Sequence, residues 1–334
     1  MDPETTAQDK QYAPVIGVDL GGTKILAAVI DPTGGIIASE KKKTKAHKPW
    51  REVISRIAKC SRKAVKKAGY TMDSIGALGI GAPGALNPRE GVIHLAPNLH
   101  WEEVPLKKVL EKELGIPVFI NNDVNIGTLG EFRMGSALGM TNVVGIFVGT
   151  GIGGGLIFNG KIYEGSSFMA GEIGHIPLVE DGPECGCGNK GCFEAAAGRL
   201  AIIRDIQKAV KKGKKTSLKK EKGGDLSKIK SGLLAKAWEE EDKLVTDILK
   251  KAAFQIGRGV ATVINLLNPD AVVLGGGLIE ALDDKFIKQI KKSAEKHSFP
   301  SMYKKTSIVP AVLGDDAGII GAAIYARDRL KESD

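Results

Sequence analysis

The sequence predicts an α/β protein with two domains, and three observations support this prediction. At 334 residues the chain is long enough to bury two hydrophobic cores. An apolar strand, a glycine turn and a second apolar strand occur at residues 15–30 and again at residues 142–158. A third glycine loop, at residues 275–277, also follows an apolar run. The repeated pattern predicts a fold that is internally duplicated.

The first half of the chain is predicted to begin with three antiparallel strands. Apolar residues recur at helical spacing between Trp50 and Ala68, and Gly115 is a helix stop. Apolar runs bounded by turn residues predict the strands. The predicted strands cover residues 15–20, 25–30, 36–39, 75–80, 91–95 and 117–120, and the predicted helices cover 50–68 and 105–114.

The second half continues with alternating strands and helices. Strands are predicted at residues 142–148, 156–158 and 270–274, and helices at residues 195–212, 242–267 and 315–330. Residues 216–232 are polar, lysine-rich and interrupted by glycine, which predicts an exposed insertion. The glycines at 275–277 are expected to stand at the start of a helix.

Composition and charge narrow the class of protein. The 43% hydrophobic and 26% charged residues are typical of a globular protein, and no apolar run is long enough to span a bilayer. The net charge of +9 is concentrated in stretches such as 208–222, where lysines with few interleaved aromatic residues favour solvated helix faces. We therefore expect neither a nucleic-acid nor a membrane partner.

The N-terminus and the cysteines lead to two further expectations. Residues 1–11 are polar, lack the apolar core of a signal peptide and are expected to form a disordered tail. Three of the four cysteines lie within eight residues, and Cys60 stands alone in a predicted helix. This pattern is typical of a reducing compartment rather than of a disulfide framework, so we expect a cytoplasmic protein.

The three glycine loops are candidate phosphate-binding sites. A strand–turn–strand unit places backbone N–H groups around an anion, although an ordinary hairpin turn would have the same pattern. In the first unit, Asp19 could hold a metal ion through water, and Thr23 and Lys24 could reach phosphate oxygens. The third loop suits an adenosine and its α-phosphate. The candidate cofactor-binding residues are Asp19, Gly21, Gly22, Thr23, Lys24, Gly149, Thr150, Gly151, Gly153, Gly275, Gly276 and Gly277.

A polar cluster follows the apolar strand at residues 117–120. Asn122 can donate hydrogen bonds to sugar hydroxyls and accept them, and Asp123 could take the proton of an attacking hydroxyl as a general base. The alternative is that Asp123 caps a helix, and both interpretations can hold together. Gly84 lies in a second glycine-rich strand end, where the backbone could approach a ligand closely.

One histidine and three cysteines have the spacing of a metal site. The pattern His-x9-Cys-x-Cys-x4-Cys offers an imidazole and three thiolates, the donor set that zinc prefers. The ligands would be His175, Cys185, Cys187 and Cys192. Four protein ligands fill the coordination sphere, so the site should be structural, and buried thiols beside an unrelated histidine are the alternative. Glu172 and Glu194 bracket the site and are expected to hydrogen-bond a nearby ligand.

The same stretch resembles a known family. Gly171-Glu172-Ile173-Gly174-His175, followed by the Cys-Gly-Cys-x4-Cys-x-Glu motif that ends at Glu194, resembles the signature of ROK proteins, and of their sugar kinases in particular. Asp-x-Gly-Gly-Thr at residues 19–23 resembles the first phosphate loop of the sugar kinase, actin and heat-shock ATPase superfamily. Asn98-Leu99-His100-Trp101 resembles a segment of the family's glucokinases. The resemblance extends from Val15 to about Arg329.

The resemblance implies a fold and an activity. The fold would be two ribonuclease-H-like α/β domains, residues 12–122 with 314–334 and residues 123–313, with a cleft between them. The reaction would be transfer of a phosphoryl group from ATP, with Mg²⁺, to the 6-hydroxyl of glucose, and the protein would be a homodimer. Asp123 would be the catalytic base. The sugar-binding residues would be Gly84, Asn98, Asn122, Asp123, Glu172, His175 and Glu194.

The sequence departs from the family at two positions and leaves alternatives open. Asn121 stands where the family usually has Glu, and Phe168 lies where a glycine is common. An N-acetylmannosamine or N-acetylglucosamine kinase would use the same cleft, and polyphosphate could replace ATP as the donor. A sugar-sensing transcriptional regulator is the alternative of another class; the fourteen residues before the first strand are too few for a DNA-binding module.

Overall fold

The computed structural model describes residues 13–333, so the predicted disordered tail at residues 1–11 lies outside the described residues. The strands are β1 (Val15–Leu20), β2 (Lys24–Ile30), β3 (Ile36–Lys43), β4 (Leu78–Ala82), β5 (Ala85–Asn87), β6 (Val92–Ala96), β7 (Trp101–Val104), β8 (Val118–Asn122), β9 (Val143–Val148), β10 (Ile152–Phe158), β11 (Lys161–Ile162), β12 (Ala271–Gly275) and β13 (Ser307–Pro310). The α-helices are α1 (Trp50–Lys67), α2 (Leu106–Leu114), α3 (Asp123–Met134), α4 (Phe193–Ala197), α5 (Arg199–Lys211), α6 (Ser231–Glu239), α7 (Lys243–Leu267), α8 (Asp284–His297), α9 (Pro300–Tyr303) and α10 (Ala317–Ser333).

Two sheets with the same plan organise the chain. Within residues 13–333, one five-stranded sheet has the order β3-β2-β1-β4-β8, a second has the order β11-β10-β9-β12-β13, and β5-β6-β7 form a small third sheet. In the first, β1 pairs antiparallel with β2 and parallel with β4. In the second, β9 pairs antiparallel with β10 and parallel with β12. The predicted duplication is therefore confirmed in the strand pairing.

Each large sheet has its own hydrophobic core. The core of the first sheet includes Ile54 and Ile57 of α1 and Leu110 of α2, while α4 to α8 cover the second sheet. Helices α3 and α10 pack against each other between these cores. A side chain at Gly130 would overlap the carbonyl of Ala317, and one at Gly321 would overlap the carbonyl of Ile126, so the close approach of the two helices requires both glycines.

Polar side chains and glycine set the helix ends. Asp242 accepts a hydrogen bond from the backbone N–H of Val245 at 3.0 Å and so begins α7. Gly115 adopts φ 73° immediately after α2, the left-handed conformation that glycine tolerates without a Cβ clash. Helix ends of this kind were predictable because the capping residue lies next to the helix in sequence.

Several details differ from the sequence prediction. The strand predicted at 75–80 is β4, which begins at Leu78. The helix predicted at 195–212 is two helices, because Gly198 has an extended ψ of 160°. The glycines at 153–155 belong to strand β10 rather than to a loop. Residues 276–283 form turns, so α8 begins at Asp284 and not at the third glycine loop.

The predicted exposed insertion is also only partly correct. Lys219, Lys220, Lys228 and Lys230 are exposed, but Leu218, Leu226 and Ile229 are buried in the core of the second sheet. Short 3-10 turns carry these residues inward, and the following helix α6 was not predicted.

Among the residues that the structure describes, no helix has the length and apolar character needed to cross a membrane.

Candidate active site

A cleft of about 830 Å³ is lined by residues from both halves of the chain. The parallel strands β1, β4 and β8 end at the cleft, and the turn between β9 and β10 forms another wall. The lining includes thirteen of the residues predicted to bind a substrate or a cofactor: Asp19, Gly84, Asn98, Asn122, Asp123, Gly149, Thr150, Gly151, Gly153, Glu172, His175, Glu194 and Gly276. Residues that are far apart in sequence therefore line the same cleft.

Six of the predicted cofactor-binding residues lie at the rim of the cleft or behind it. They are Gly21, Gly22, Thr23, Lys24, Gly275 and Gly277, none of which is in the lining. The Nζ atom of Lys24 lies 2.6 Å from Oδ1 of Asp315. Of the predicted metal ligands, Cys185 is in the lining, whereas Cys187 and Cys192 lie outside it.

The sequence analysis missed several lining residues, among them Phe147, Glu280 and Asp315. Burial raises the pKa of Glu280, with Asp315 contributing in the same direction. Lys24 lowers the pKa of Asp315 through a direct hydrogen bond. A signal for Asp315 existed, because Gly314-Asp315-Asp316 follows an apolar strand and precedes a helix, as Asn122-Asp123 does.

Asp123 is the first residue of α3 and is partly exposed to the cleft. Burial, reinforced by the neighbouring Asp19 carboxylate, raises the pKa of Asp123 to about 6. The residue that caps α3 is Asn122, whose Oδ1 accepts from the N–H groups of Val124 at 2.8 Å and of Asn125 at 3.3 Å. The alternative that Asp123 is the helix cap is therefore wrong.

Asn122 and Gly84 form one side of the cleft. The cap occupies Oδ1 of Asn122, and its Nδ2 lies 3.4 Å from the carbonyl oxygen of Gly84. Gly84 has a φ of 95°, and a side chain there would overlap the carbonyl of Leu95. Only glycine fits this position without strain, which explains the glycine-rich end of β4.

The β9–β10 turn is held from outside by α5 and by Glu194. The N–H groups of Arg199 and Leu200 donate to the carbonyls of Gly149 and Thr150 at 3.1 and 3.2 Å. Oε2 of Glu194 accepts from the N–H of Ile152 at 2.9 Å. The N–H of Gly149 donates within the turn to the carbonyl of Gly151 at 2.9 Å, which leaves the N–H groups of Thr150 and Gly151 as the turn's candidate anion donors.

His175, Cys185, Cys187 and Cys192 bring their ligand atoms within 4.8 Å of one another. The Sγ atoms of Cys187 and Cys192 are 3.7 Å apart, and Sγ of Cys185 is 3.6 Å from Nδ1 of His175. Tetrahedral zinc with thiolate ligands would require roughly 3.8 Å between two sulfurs. The residues therefore fit zinc. Nε2 of His175 points the other way and lies 3.8 Å from Oε2 of Glu172, which lines the cleft.

The fold and the cleft define a protein of the actin and hexokinase structural class. The chain belongs to the ROK family, whose model matches residues 15–329, and the resemblance seen in the sequence is confirmed. It is 34% identical over 312 residues to a glucokinase of Halalkalibacterium halodurans, with 92% of each chain covered.

Two solved structures have the same fold. A ROK family glucokinase from Streptomyces griseus, crystallised in complex with glucose and AMPPNP, superposes with a TM-score of 0.81 at 32% identity and covers 94% of this chain and 99% of that one. A ROK hexokinase from Thermus thermophilus also superposes with a TM-score of 0.81, at 31% identity, covering 96% of this chain and 99% of that one.

Proposed function

We propose that this protein is a sugar kinase that transfers the γ-phosphoryl group of ATP to the 6-hydroxyl of glucose. The observation that carries the proposal is the position of Asp123. A carboxylate with a raised pKa stands at the start of helix α3, in a cleft that the candidate anion-binding turn also lines. The Streptomyces griseus relative, solved with glucose and an ATP analogue, supports both the sugar and the donor.

In this mechanism Asp123 orients the sugar hydroxyl and accepts its proton as the hydroxyl attacks phosphorus. A pKa of about 6 leaves the carboxylate largely ionised near neutral pH, which a base requires. The transition state of phosphoryl transfer is loose, so catalysis consists mostly of positioning and charge neutralisation. The N–H groups of Thr150 and Gly151 would stabilise the charge on the phosphate.

The sugar would lie between two sets of polar side chains. Asn98 and Asn122 lie on the side of the first sheet, and Glu172, His175 and Glu194 lie on the side of the second. Together they offer amide donors, carboxylate acceptors and one imidazole nitrogen, which match the alternating donors and acceptors of a hexose. We propose that Nε2 of His175 contacts the sugar while Nδ1 binds zinc.

Two metal ions belong to the proposal. Zinc would be structural, with all four protein ligands filling its coordination sphere and fixing the segment that carries Glu172 and Glu194. Asp19 lines the cleft with a carboxylate, the hard oxygen donor that Mg²⁺ prefers. Mg²⁺ bound with ATP supplies positive charge to the phosphate oxygens.

The remaining predictions complete the proposal. The boundaries at residues 12–122 with 314–334 and at 123–313 would separate two bodies that close over the substrates. The reduced thiols of a zinc site suit the cytoplasm. A homodimer and the absence of a nucleic-acid or membrane partner also stay predictions.

A panel of sugars tests the substrate. We expect ADP release with glucose to have a higher kcat/KM than with mannose, N-acetylglucosamine or N-acetylmannosamine. A higher value for an N-acetylated sugar would make the protein an amino-sugar kinase. Sugar binding without turnover of any member, with ATP or polyphosphate, would favour the sugar-sensing regulator.

A further inference from the structure

The ion pair between Lys24 and Asp315 joins the two ends of the chain at the edge of the cleft. Nζ of Lys24, on β2, lies 2.6 Å from Oδ1 of Asp315, in the loop between β13 and α10. Nζ of Lys41, on β3, lies 4.0 Å from the other carboxylate oxygen. Exposed pairs of this kind contribute little to stability, and the Asp315 side chain is 66% exposed. Stability therefore does not explain why this ion pair lies at the cleft.

A buried carboxylate fixes the loop that carries Asp315. Oε1 of Glu131 accepts from the N–H groups of Val312 and Leu313 at 2.9 and 2.8 Å. Oε2 of Glu131 accepts from the N–H and the hydroxyl of Ser136 at 2.9 and 3.1 Å. Glu131 is fully buried in α3, the helix that begins at Asp123. The position of Asp315 is thus set by the same helix that presents the proposed base.

The positive charge of Lys24 also acts on a second carboxylate, that of Asp19. Asp19 lies near the end of β1, on the other side of the hairpin turn; burial raises its pKa, Lys24 lowers it and Asp315 raises it. The start of α10 also packs on Asp19, because a Cβ at Gly318 would lie 3.1 Å from that of Asp19. The charge of Lys24 therefore acts on both Asp19 and Asp315, and Asp315 is the one in direct contact with its ammonium group. A direct pair with Asp19 would neutralise the carboxylate that the metal-bound donor needs.

We propose that Asp315 is a positioning residue that holds Lys24 away from Asp19 and so leaves the Asp19 carboxylate free for the metal of the donor. The inference rests on the proposed function, because it requires a nucleoside triphosphate on this side of the cleft. The two residues involved, Lys24 and Asp315, are separated by most of the chain. The proposed zinc ligands and sugar-binding side chains play no part in this role.

Binding of AMPPNP, measured by calorimetry over a range of Mg²⁺ concentrations, tests this role in four variants. They are Asp315→Asn, Lys24→Met, the double variant, and Asp316→Asn as a matched control outside the cleft lining. Asp315→Asn should raise the Kd of AMPPNP with Mg²⁺ by about tenfold, since a charged hydrogen bond that fixes Lys24 is lost. The KM for glucose and the melting temperature should hardly change, and Asp316→Asn should bind as the parent does.

The double variant decides whether Asp315 acts through Lys24. In the Lys24→Met background, Asp315→Asn should change the Kd by less than about twofold, because the group that Asp315 restrains is absent. Equal effects in both backgrounds would overturn the proposal, as would tighter binding by Asp315→Asn, the result expected if Asp315 merely repels phosphate. A parent that binds no AMPPNP also contradicts it. A parent that phosphorylates glucose while Asp315→Asn binds AMPPNP normally would refute this role alone and leave the proposed function intact.

Discussion

The two hairpin turns, residues 21–23 between β1 and β2 and residues 149–151 between β9 and β10, have the same topology and different surroundings. The carbonyls of Gly21 and Thr23 accept from the hydroxyl and N–H of Thr44, much as α5 anchors the carbonyls of the second turn. Charged groups surround the first turn: Asp19, Lys24 and Asp315. The second turn has different charged neighbours: Glu194, which belongs to the segment with the proposed metal ligands, and Arg199, whose guanidinium donates to the Thr150 hydroxyl at 2.9 Å. The two turns therefore have similar backbones, and they differ in the side chains that other parts of the chain bring next to them.

The most direct test of this difference is a glycine-to-alanine substitution in each turn. A Cβ at Gly151 would overlap the Glu194 carboxylate, whereas one at Gly22 would lie 3.2 Å from the carbonyl oxygen of Asn98. Gly151→Ala should lower kcat/KM for glucose by about a hundredfold, the usual cost of displacing a catalytic group by about 1 Å. Gly22→Ala should cost only a few-fold.

A further substitution in the second turn separates sterics from flexibility. Gly149 has open space where its Cβ would stand. Gly149→Ala should therefore be milder than Gly151→Ala in the same steady-state assay. Similar losses for Gly149→Ala, Gly151→Ala and Gly22→Ala would show that the two turns are equivalent and that Glu194 does not distinguish them.

Metal removal should affect the two sides of the cleft unequally. Glu172 and Glu194 flank the proposed zinc ligands in sequence, and none of those ligands belongs to the first turn. Chelation should raise the Kd of glucose by about tenfold or more, as loss of an orienting metal does, while the Kd of AMPPNP changes little. Metal analysis should find one zinc per chain before chelation. Freshly purified protein without zinc but with full activity would rule out this role.

The pH profile should report the Asp123 carboxyl. Asp123 must be ionised to accept a proton, and its raised pKa of about 6 means that it becomes protonated as the pH falls through 6. At pH 5, kcat/KM should be about a tenth of its value at pH 8. If kcat/KM of the folded protein stays constant down to pH 5, the rate does not depend on the ionisation of Asp123.

The same raised pKa predicts a small gain in stability for Asp123→Asn. The carboxylate is unfavourable in the folded cleft above pH 6, and the parent recovers stability as the pH falls through 6 toward the ordinary value of 3.8. Denaturant unfolding at pH 8 should find the variant more stable by about 1–2 kcal/mol, discounted for the partial exposure of the group. The difference should shrink below pH 5. Equal stability of the parent and the variant at pH 8 would mean that the carboxylate is well solvated.

The parts of the site that were predictable from sequence depend on neighbours in the chain. His175 and the three cysteines lie within eighteen residues, so their spacing alone indicated a metal site. Asp123 follows a buried strand directly. The Lys24–Asp315 pair was not predictable, because its partners meet only after both sheets and α10 have packed. The spacing of glycines in the sequence does not indicate that these two residues form a contact.

Two errors in the fold prediction also have physical causes. Gly154 and Gly155 were assigned to a loop because glycine is unfavourable in strands, yet side chains at these positions would overlap Ile173 and Thr128. Packing of the neighbouring segments on β10 therefore requires glycine within the strand. In the lysine-rich segment, Leu218, Leu226 and Ile229 follow no regular period, so their burial gave no pattern to detect.

The central claim is that Asp123, placed between the two turns, is the general base, and one variant tests it most directly. Asp123→Asn preserves shape and removes the proton acceptor. We predict that kcat with glucose falls by at least about a hundredfold, the lower range for loss of a general base, while the Kd values of glucose and AMPPNP stay within a few-fold of the parent. A folded variant whose kcat stays within a few-fold of the parent would show that the base lies elsewhere and would contradict the mechanism.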